Sequence, residues 1–177
     1  VRYYEEHESY ITRHLNMTQI QGNHWRFLKK YKNHPGSLLD VGCANGSFIN
    51  KAQEYGFDVY GIDIDSISIK ASRERGLKNT FDMGIEEFVA YSRDSGLQFD
   101  YITIFEVIEH QARPVDFLNL VKKLLKPGGI VYGSVPNRNR LSWLLREKGK
   151  NYEDVDYPPH HFTLWAPNPL MKYFELS

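Results

Sequence analysis

One cysteine, Cys43, stands among the 177 residues, so neither an intrachain disulfide nor a CxxC metal knuckle is available. Charge of one sign is also missing. The 22 Lys and Arg residues balance 22 Asp and Glu residues, which removes any global case for nucleic acid or an anionic membrane as partner. No apolar run approaches the roughly 18 residues of a membrane-spanning helix. No charged segment followed by an apolar one opens the chain, so a cytoplasmic location is the expectation. Repeats and Gly/Ser linkers are absent too. Seven histidines occur, but none in an H-E-x-x-H or HxxxH pattern and none near a second thiol, so no metal site is expected. What remains is ordinary globular composition, 41% hydrophobic and 25% charged, which excludes disorder and collagen. The first residue is Val1 rather than Met, which suggests a fragment of a longer chain.

The pattern divides at about residue 36. Within 17–32, Ile20, His24, Phe27, Leu28 and Tyr31 share one helical face, and His34-Pro35-Gly36 ends the helix. Residues 1–36 are therefore expected as a helical cap and 37–177 as the core. In the core, short apolar runs alternate with helical segments. Strands are predicted at 38–41, 58–62 and 101–105, more weakly at 79–82, and again at 130–135. Helices are predicted from Gly46 to Tyr55, from Ser66 to Arg75, and from Pro114, with Leu118, Val121 and Leu125 on one face. Lys126-Pro127-Gly128-Gly129 breaks the last of these. Such alternation means crossover units in a doubly wound, mostly parallel α/β sheet.

Chemistry concentrates at the first strand's end. Asp40-Val41-Gly42-Cys43-Ala44-Asn45-Gly46 is a strand, a Gly-containing turn and a helix start, where backbone can approach a ligand closely. Asp63 closes the second strand 21 residues after Gly42 and can accept both hydroxyls of a ribose. Asp65-Ser66 supplies a nearer helix cap, which leaves Asp63 free for that work. Together the turn and the acid imply an adenosine-type ligand. A dinucleotide fingerprint needs a third glycine two residues beyond Gly46, and Ser47-Phe48 stand there instead. The Walker Lys-Ser/Thr ending is missing as well. Asp40 just before the loop would repel a pyrophosphate and attract an ammonium. S-adenosylmethionine carries an ammonium, a sulfonium and no phosphate, so the charge pattern favours it over NAD.

The run Leu38 to Phe48 resembles the first motif of class I S-adenosylmethionine-dependent methyltransferases. Phe99-Asp100-Tyr101-Ile102 through Glu106-Val107-Ile108-Glu109-His110 is similar to their fourth strand and its loop. Leu124-Leu125-Lys126-Pro127-Gly128-Gly129 and Ser134-Val135-Pro136-Asn137 resemble the approach to, and the end of, their fifth strand. Pro158-Pro159-His160-His161-Phe162 is similar to a segment of the branch that includes ubiquinone-biosynthesis-like O-methyltransferases. The resemblance spans residues 37–170. It implies that Asp40, Gly42, Cys43, Ala44 and Gly46 surround the methionine moiety and Asp63 the ribose. Ile64 would pack on the adenine, which Met83, Gly84 and Ile85 would flank. Phe105 would lie near the methionine carboxylate and sulfonium. Ala44 stands where the family often has Gly, a departure that is harmless if its backbone φ stays negative.

The function this implies is methyl transfer to an unidentified acceptor, a small molecule methylated at O, N or C. Alternatives are a catalytically inactive partner subunit of the same fold or an NAD-dependent oxidoreductase. Turnover to S-adenosylhomocysteine separates the first, and comparative binding of NADH the second. His110, just past the fourth strand, is the leading general-base candidate, with His160 and His161 behind it. Trp143, Tyr157 and Trp165 are candidate walls of an acceptor pocket. The family's sheet usually ends in an antiparallel hairpin, and no alternating segment remains after residue 135 to build one. The fifth strand is then an edge needing cover from 139–165, from a second copy of the chain, or from missing residues.

Overall fold

A computed structural model describes residues 20–136 of the chain. We label its elements in chain order: α1 Gly22–Tyr31, β1 Ser37–Val41, α2 Ser47–Glu54, β2 Asp58–Asp63, α3 Ser66–Glu74, β3 Thr80–Asp82, α4 Ile85–Ser95, β4 Phe99–Phe105, a 3-10 turn Ile108–His110, α5 Pro114–Lys123 and β5 Leu125–Ser134. All five strands run parallel in the order β3-β2-β1-β4-β5. The order reverses between β1 and β4, which makes the carboxyl ends of those two strands the switch point where such sheets bind ligands.

Successive strand residues face opposite sides, so a strand covered on both faces reads as an unbroken apolar run. In β1, Leu38 joins one buried cluster with Phe27 and Leu28 of α1, Phe48 and Ile49 of α2 and Ile69 of α3. Leu39 joins the opposite cluster with Phe88 of α4 and Phe117 and Val121 of α5. Each fully buried Phe or Leu contributes about 1.5–3 kcal/mol. Helix α1 is thus part of the core packing: Phe27 has no exposed surface and contacts the rings of Phe48, Phe57, Tyr101 and Tyr132.

Three local features differ from the sequence expectation. Helix α4 is absent from the sequence expectation, although Ile85, Phe88, Val89 and Ser92 are its buried face. Glu87 accepts the Gly84 N–H over 3.0 Å at its start, and Gly96, at φ 70°, ends it. Leu125 does not extend the face of α5. That helix stops at Lys123, and Leu125 pairs with Phe99 as the first residue of β5. The next pairing is Tyr101 with Ile130, so Lys126-Pro127-Gly128-Gly129 forms a bulge inside the strand rather than a break before it. Lys126 anchors that bulge to Asp100 over 2.8 Å. Whether a hairpin follows β5 concerns 137–177, outside the described residues, as do His160, His161, Trp143, Tyr157 and Trp165.

Candidate functional site

The loops after β1 and β4 meet at the switch point. Gly42 has φ 80°, and a Cβ there would lie 2.5 Å from Val107 Cγ2 in the β4 loop, so only glycine fits. The N–H groups of Gly42 and Cys43 both donate to the Ile62 carbonyl, at 2.8 and 3.0 Å. Gly46, at φ 76°, starts α2, and a side chain there would collide with Leu77. Asn45 Oδ1 accepts from the Ser47 N–H and hydroxyl, at 3.1 and 2.7 Å, an Asx turn leading into the helix whose N-cap is Gly46.

Ala44 overturns one expectation. Its φ is +46°, in the left-handed region where a Cβ is strained. The turn demands that conformation because it aims the Ala44 N–H at Asp63 Oδ2, 2.8 Å away. Asp63 is therefore not free of partners. Its Oδ1 accepts the Asp65 N–H at 2.9 Å, while Asp65 caps α3 at Ile67 as expected. Each carboxylate oxygen retains a lone pair for a further donor. Burial pushes the Asp63 carboxyl up, and the hydrogen bonds from Asp65 and Ala44 pull it back.

Asp40, in the middle of the site's floor, is 4% exposed. The Thr103 hydroxyl, directly opposite on β4, donates to its Oδ1 over 2.6 Å. Burial raises the Asp40 carboxyl to about 7, against the Thr103 bond that lowers it, and Asp63 raises it further. Cys43 offers the site only backbone. Its side chain is buried above Gly61, and burial drives the thiol up, away from reactivity. Ile64 stands 63% exposed beside Asp63, with Gly84 against it. The Met83 N–H donates to the Asp63 carbonyl at 3.1 Å. Ile64, Met83 and Gly84 are thus neighbours, whereas the Ile85 side chain turns into the core at 7% exposure.

The β4 side of the crevice is acidic. Glu106 follows Phe105 with φ 55°, a second left-handed non-glycine residue, and Ser134 on β5 donates its hydroxyl to Glu106 Oε1 at 2.7 Å. Such strain is characteristic of functional positions. Glu109 is 1% exposed, and neither carboxylate oxygen has a hydrogen-bond partner among the described residues. Burial raises this carboxyl to about 7, with Glu106 adding to the shift. His110 lies next to it, half-buried, its N–H donated to the Val107 carbonyl at 3.1 Å. Sequence reasoning gave neither Glu106 nor Glu109 a role. Burial of an acid beside a histidine leaves no periodic signal. No Lys or Arg occurs in residues 37–47, 58–65 or 103–112, and Arg113, at the far end of the β4 loop, pairs with Asp116 at the surface.

A crevice of this kind, glycine turn on one side and strand-end acid on the other, defines a nucleotide-binding α/β protein. The family model described as "Methyltransferase domain" matches residues 12–176, and the chain belongs to that family. It is similar to the ubiquinone biosynthesis O-methyltransferase of Caulobacter vibrioides, 34% identical over 125 residues covering 70% of this chain and 50% of that protein. The enzyme of the same name from Roseobacter denitrificans is 33% identical over 152 residues, 85% of this chain and 58% of the relative. The chain spans about half the length of the curated relatives it matches. Among solved structures, an S-adenosylmethionine-dependent methyltransferase from Archaeoglobus fulgidus superposes with a TM-score of 0.65 at 23% identity, covering 85% of this chain and 64% of its own. The plantazolicin methyltransferase BpumL, solved with a desmethyl substrate analogue and S-adenosylhomocysteine, gives 0.67 at 19% identity over 99% and 66%. These structures share the fold.

Proposed function

We propose that the chain is the donor-binding core of an S-adenosylmethionine-dependent methyltransferase acting on a small molecule at O, N or C. One observation carries this reading: buried Asp40 and half-buried Asp63 flank a glycine turn, and residues 37–47, 58–65 and 103–112 around it hold no Lys or Arg. A pyrophosphate needs the opposite charge, whereas a cationic, phosphate-free adenosine derivative suits it. The names of the relatives, ubiquinone biosynthesis O-methyltransferases, support oxygen as the atom methylated and a small molecule as the acceptor.

S-adenosylmethionine supplies the methyl group on a sulfonium that is already a good leaving group. The protein's contribution is then mainly alignment. Asp63 takes the ribose hydroxyls on its remaining lone pairs, and Ile64, Met83 and Gly84 border the adenine. Asp40, poised between its protonated and ionised forms, becomes a carboxylate facing the ammonium. Phe105 closes the β4 side, and His110 receives the acceptor's proton if one must leave. Site of action in the cytoplasm and pairing of two copies along β5 belong to the same proposal. Gel filtration and localisation of the tagged chain test them.

The deciding experiment is calorimetric titration of the chain with S-adenosylhomocysteine and, separately, NADH. Micromolar binding of the first and none of the second is expected. Preference for NADH overturns the reading in favour of an oxidoreductase. Release of S-adenosylhomocysteine when S-adenosylmethionine is supplied with an acceptor pool then separates an active enzyme from an inactive partner subunit.

A further inference from the structure

The proposed donor is a zwitterion at its amino-acid end, and the residues above account for only one half of it. Asp40 suits the ammonium, but residues 37–47, 58–65 and 103–112 offer no Lys or Arg for the carboxylate, and Arg113 pairs with Asp116 at the surface. A neutral N–H donor can do so, and α1 supplies one next to the crevice. His24 sits in the first turn of α1. Its ring stacks on Phe48, in the first turn of α2, with centroids 4.8 Å apart and planes 22° from parallel. It also meets Phe105, the last residue of β4, edge to face at 4.4 Å. Phe48 and Phe105 are perpendicular to each other at 5.1 Å, so the three rings lock one another.

That lock fixes the tautomer as well as the position. His24 Nδ1 accepts the Gln21 N–H at 3.0 Å, which puts the proton of the neutral ring on Nε2. Burial lowers the imidazole to about 4, so the ring is neutral near pH 7. The Nε2–H has no acceptor among the described residues. The Gln21 contact caps the start of α1 and so accounts for Nδ1, while among the described residues Nε2–H is left over for a ligand.

The geometry points to His24 as a donor-recognition residue, whose Nε2–H binds the carboxylate of the amino-acid end of S-adenosylmethionine. This rests on the donor assigned above and deepens it: the site would distinguish ligands that keep the carboxylate from those that lack it. A hydrogen bond to a charged group corresponds to about a 10- to 100-fold change in affinity.

The test compares S-adenosylhomocysteine with 5′-methylthioadenosine, which keeps adenosine and sulfur but has no amino-acid end. His24→Phe preserves ring packing and removes the N–H, and His24→Gln restores an N–H without the ring. The Phe variant is expected to lose about 10- to 100-fold in affinity for S-adenosylhomocysteine while 5′-methylthioadenosine stays within about threefold. The Gln variant should recover part of the difference. An equal loss for both ligands, or for neither, overturns the role of His24 and leaves the donor assignment standing. Failure of the unmodified chain to bind either ligand overturns both. A readout independent of variant folding is the ring ¹⁵N spectrum of the native chain. S-adenosylhomocysteine must shift the His24 Nε2 resonance, 5′-methylthioadenosine must leave it in place, and any other pattern rejects the contact.

Discussion

The Ala44 N–H donates to Asp63 Oδ2 across 2.8 Å, tying the turn after β1 to the end of β2. One carboxylate thereby shapes the loop that would cradle the donor's methionine and offers itself to the ribose. Substituting Asp63 must register in both binding and stability. Asp63→Ala removes the acceptor for the Ala44 and Asp65 N–H groups and is expected to cost about 1–3 kcal/mol of stability. The same variant should weaken S-adenosylhomocysteine about 10- to 150-fold. Asp63→Asn, which keeps one acceptor oxygen, should fall between. Calorimetry and urea denaturation of the three proteins read the two effects separately, and unchanged affinity in the alanine variant would remove Asp63 from the ribose.

Ala44 stores strain that glycine would relieve. A left-handed φ costs a residue with a Cβ about 1–2 kcal/mol, and the added freedom of glycine in the unfolded chain returns about 0.4–1. Ala44→Gly should therefore stabilise the protein by roughly 0.5–1 kcal/mol and raise Tm by a few degrees. A drop in Tm on thermal denaturation would show that the Ala44 methyl makes packing contacts worth more than the strain.

The sheet was legible because burial on both faces leaves a plain signature. Leu38-Leu39 and Tyr101-Ile102-Thr103-Ile104 are unbroken runs, and each lies where it was expected, within β1 and β4. The periodic face of α1 was equally plain in His24, Phe27, Leu28 and Tyr31, with Phe27 and Leu28 fully packed, whereas Ile20 lies before the helix and its Gln21 cap. Helix α4 carried the same information in Ile85, Phe88, Val89 and Ser92, but serine at the fourth position weakens an apolar stripe. Its hydroxyl is satisfied by the Val89 carbonyl at 2.9 Å, which lets it be buried. The site was legible only as residue types. That Asp63 has backbone partners, that Ala44 adopts positive φ, and that Glu109 is sealed off all follow from how loops from distant strands meet. No local spacing encodes those meetings.

Asp40 and Glu109 together set a pH dependence. Both carboxyls are raised to about 7 by burial, from ordinary values near 4 in the unfolded chain. Below about pH 4 both states are protonated and the two groups cost nothing. As pH rises toward 7 the unfolded chain ionises first, so stability falls across that window by a few kcal/mol, in order of magnitude, for the pair. Urea unfolding at pH 5 and pH 8 should show the protein more stable at pH 5. Glu109→Gln should flatten the slope by removing one of the groups. A variant that keeps the full slope would assign the dependence elsewhere. Ligand works the other way at Asp40. An ammonium placed beside it favours the carboxylate, so S-adenosylhomocysteine binding at pH 7 should release protons, visible as a binding enthalpy that varies with buffer ionisation heat.

His110 is where the chemistry of the acceptor would be decided. It follows Glu109 in the 3-10 turn just past β4, on the side of the crevice where Phe105 stands, and its backbone is fixed by the Val107 carbonyl. If it receives the acceptor's proton, His110→Ala should lower kcat by about 10²- to 10⁴-fold, the usual share of a positioned base. S-adenosylhomocysteine affinity should hardly move, because the base acts on the acceptor and not on the donor. The loss should shrink for an acceptor of lower pKa, which ionises without help. Measuring kcat against acceptor pKa for both proteins therefore separates a base from a residue that merely shapes the pocket, since the latter lowers every rate alike. Turnover preserved in His110→Ala would take the role from His110 and direct the same measurement to His160 and His161.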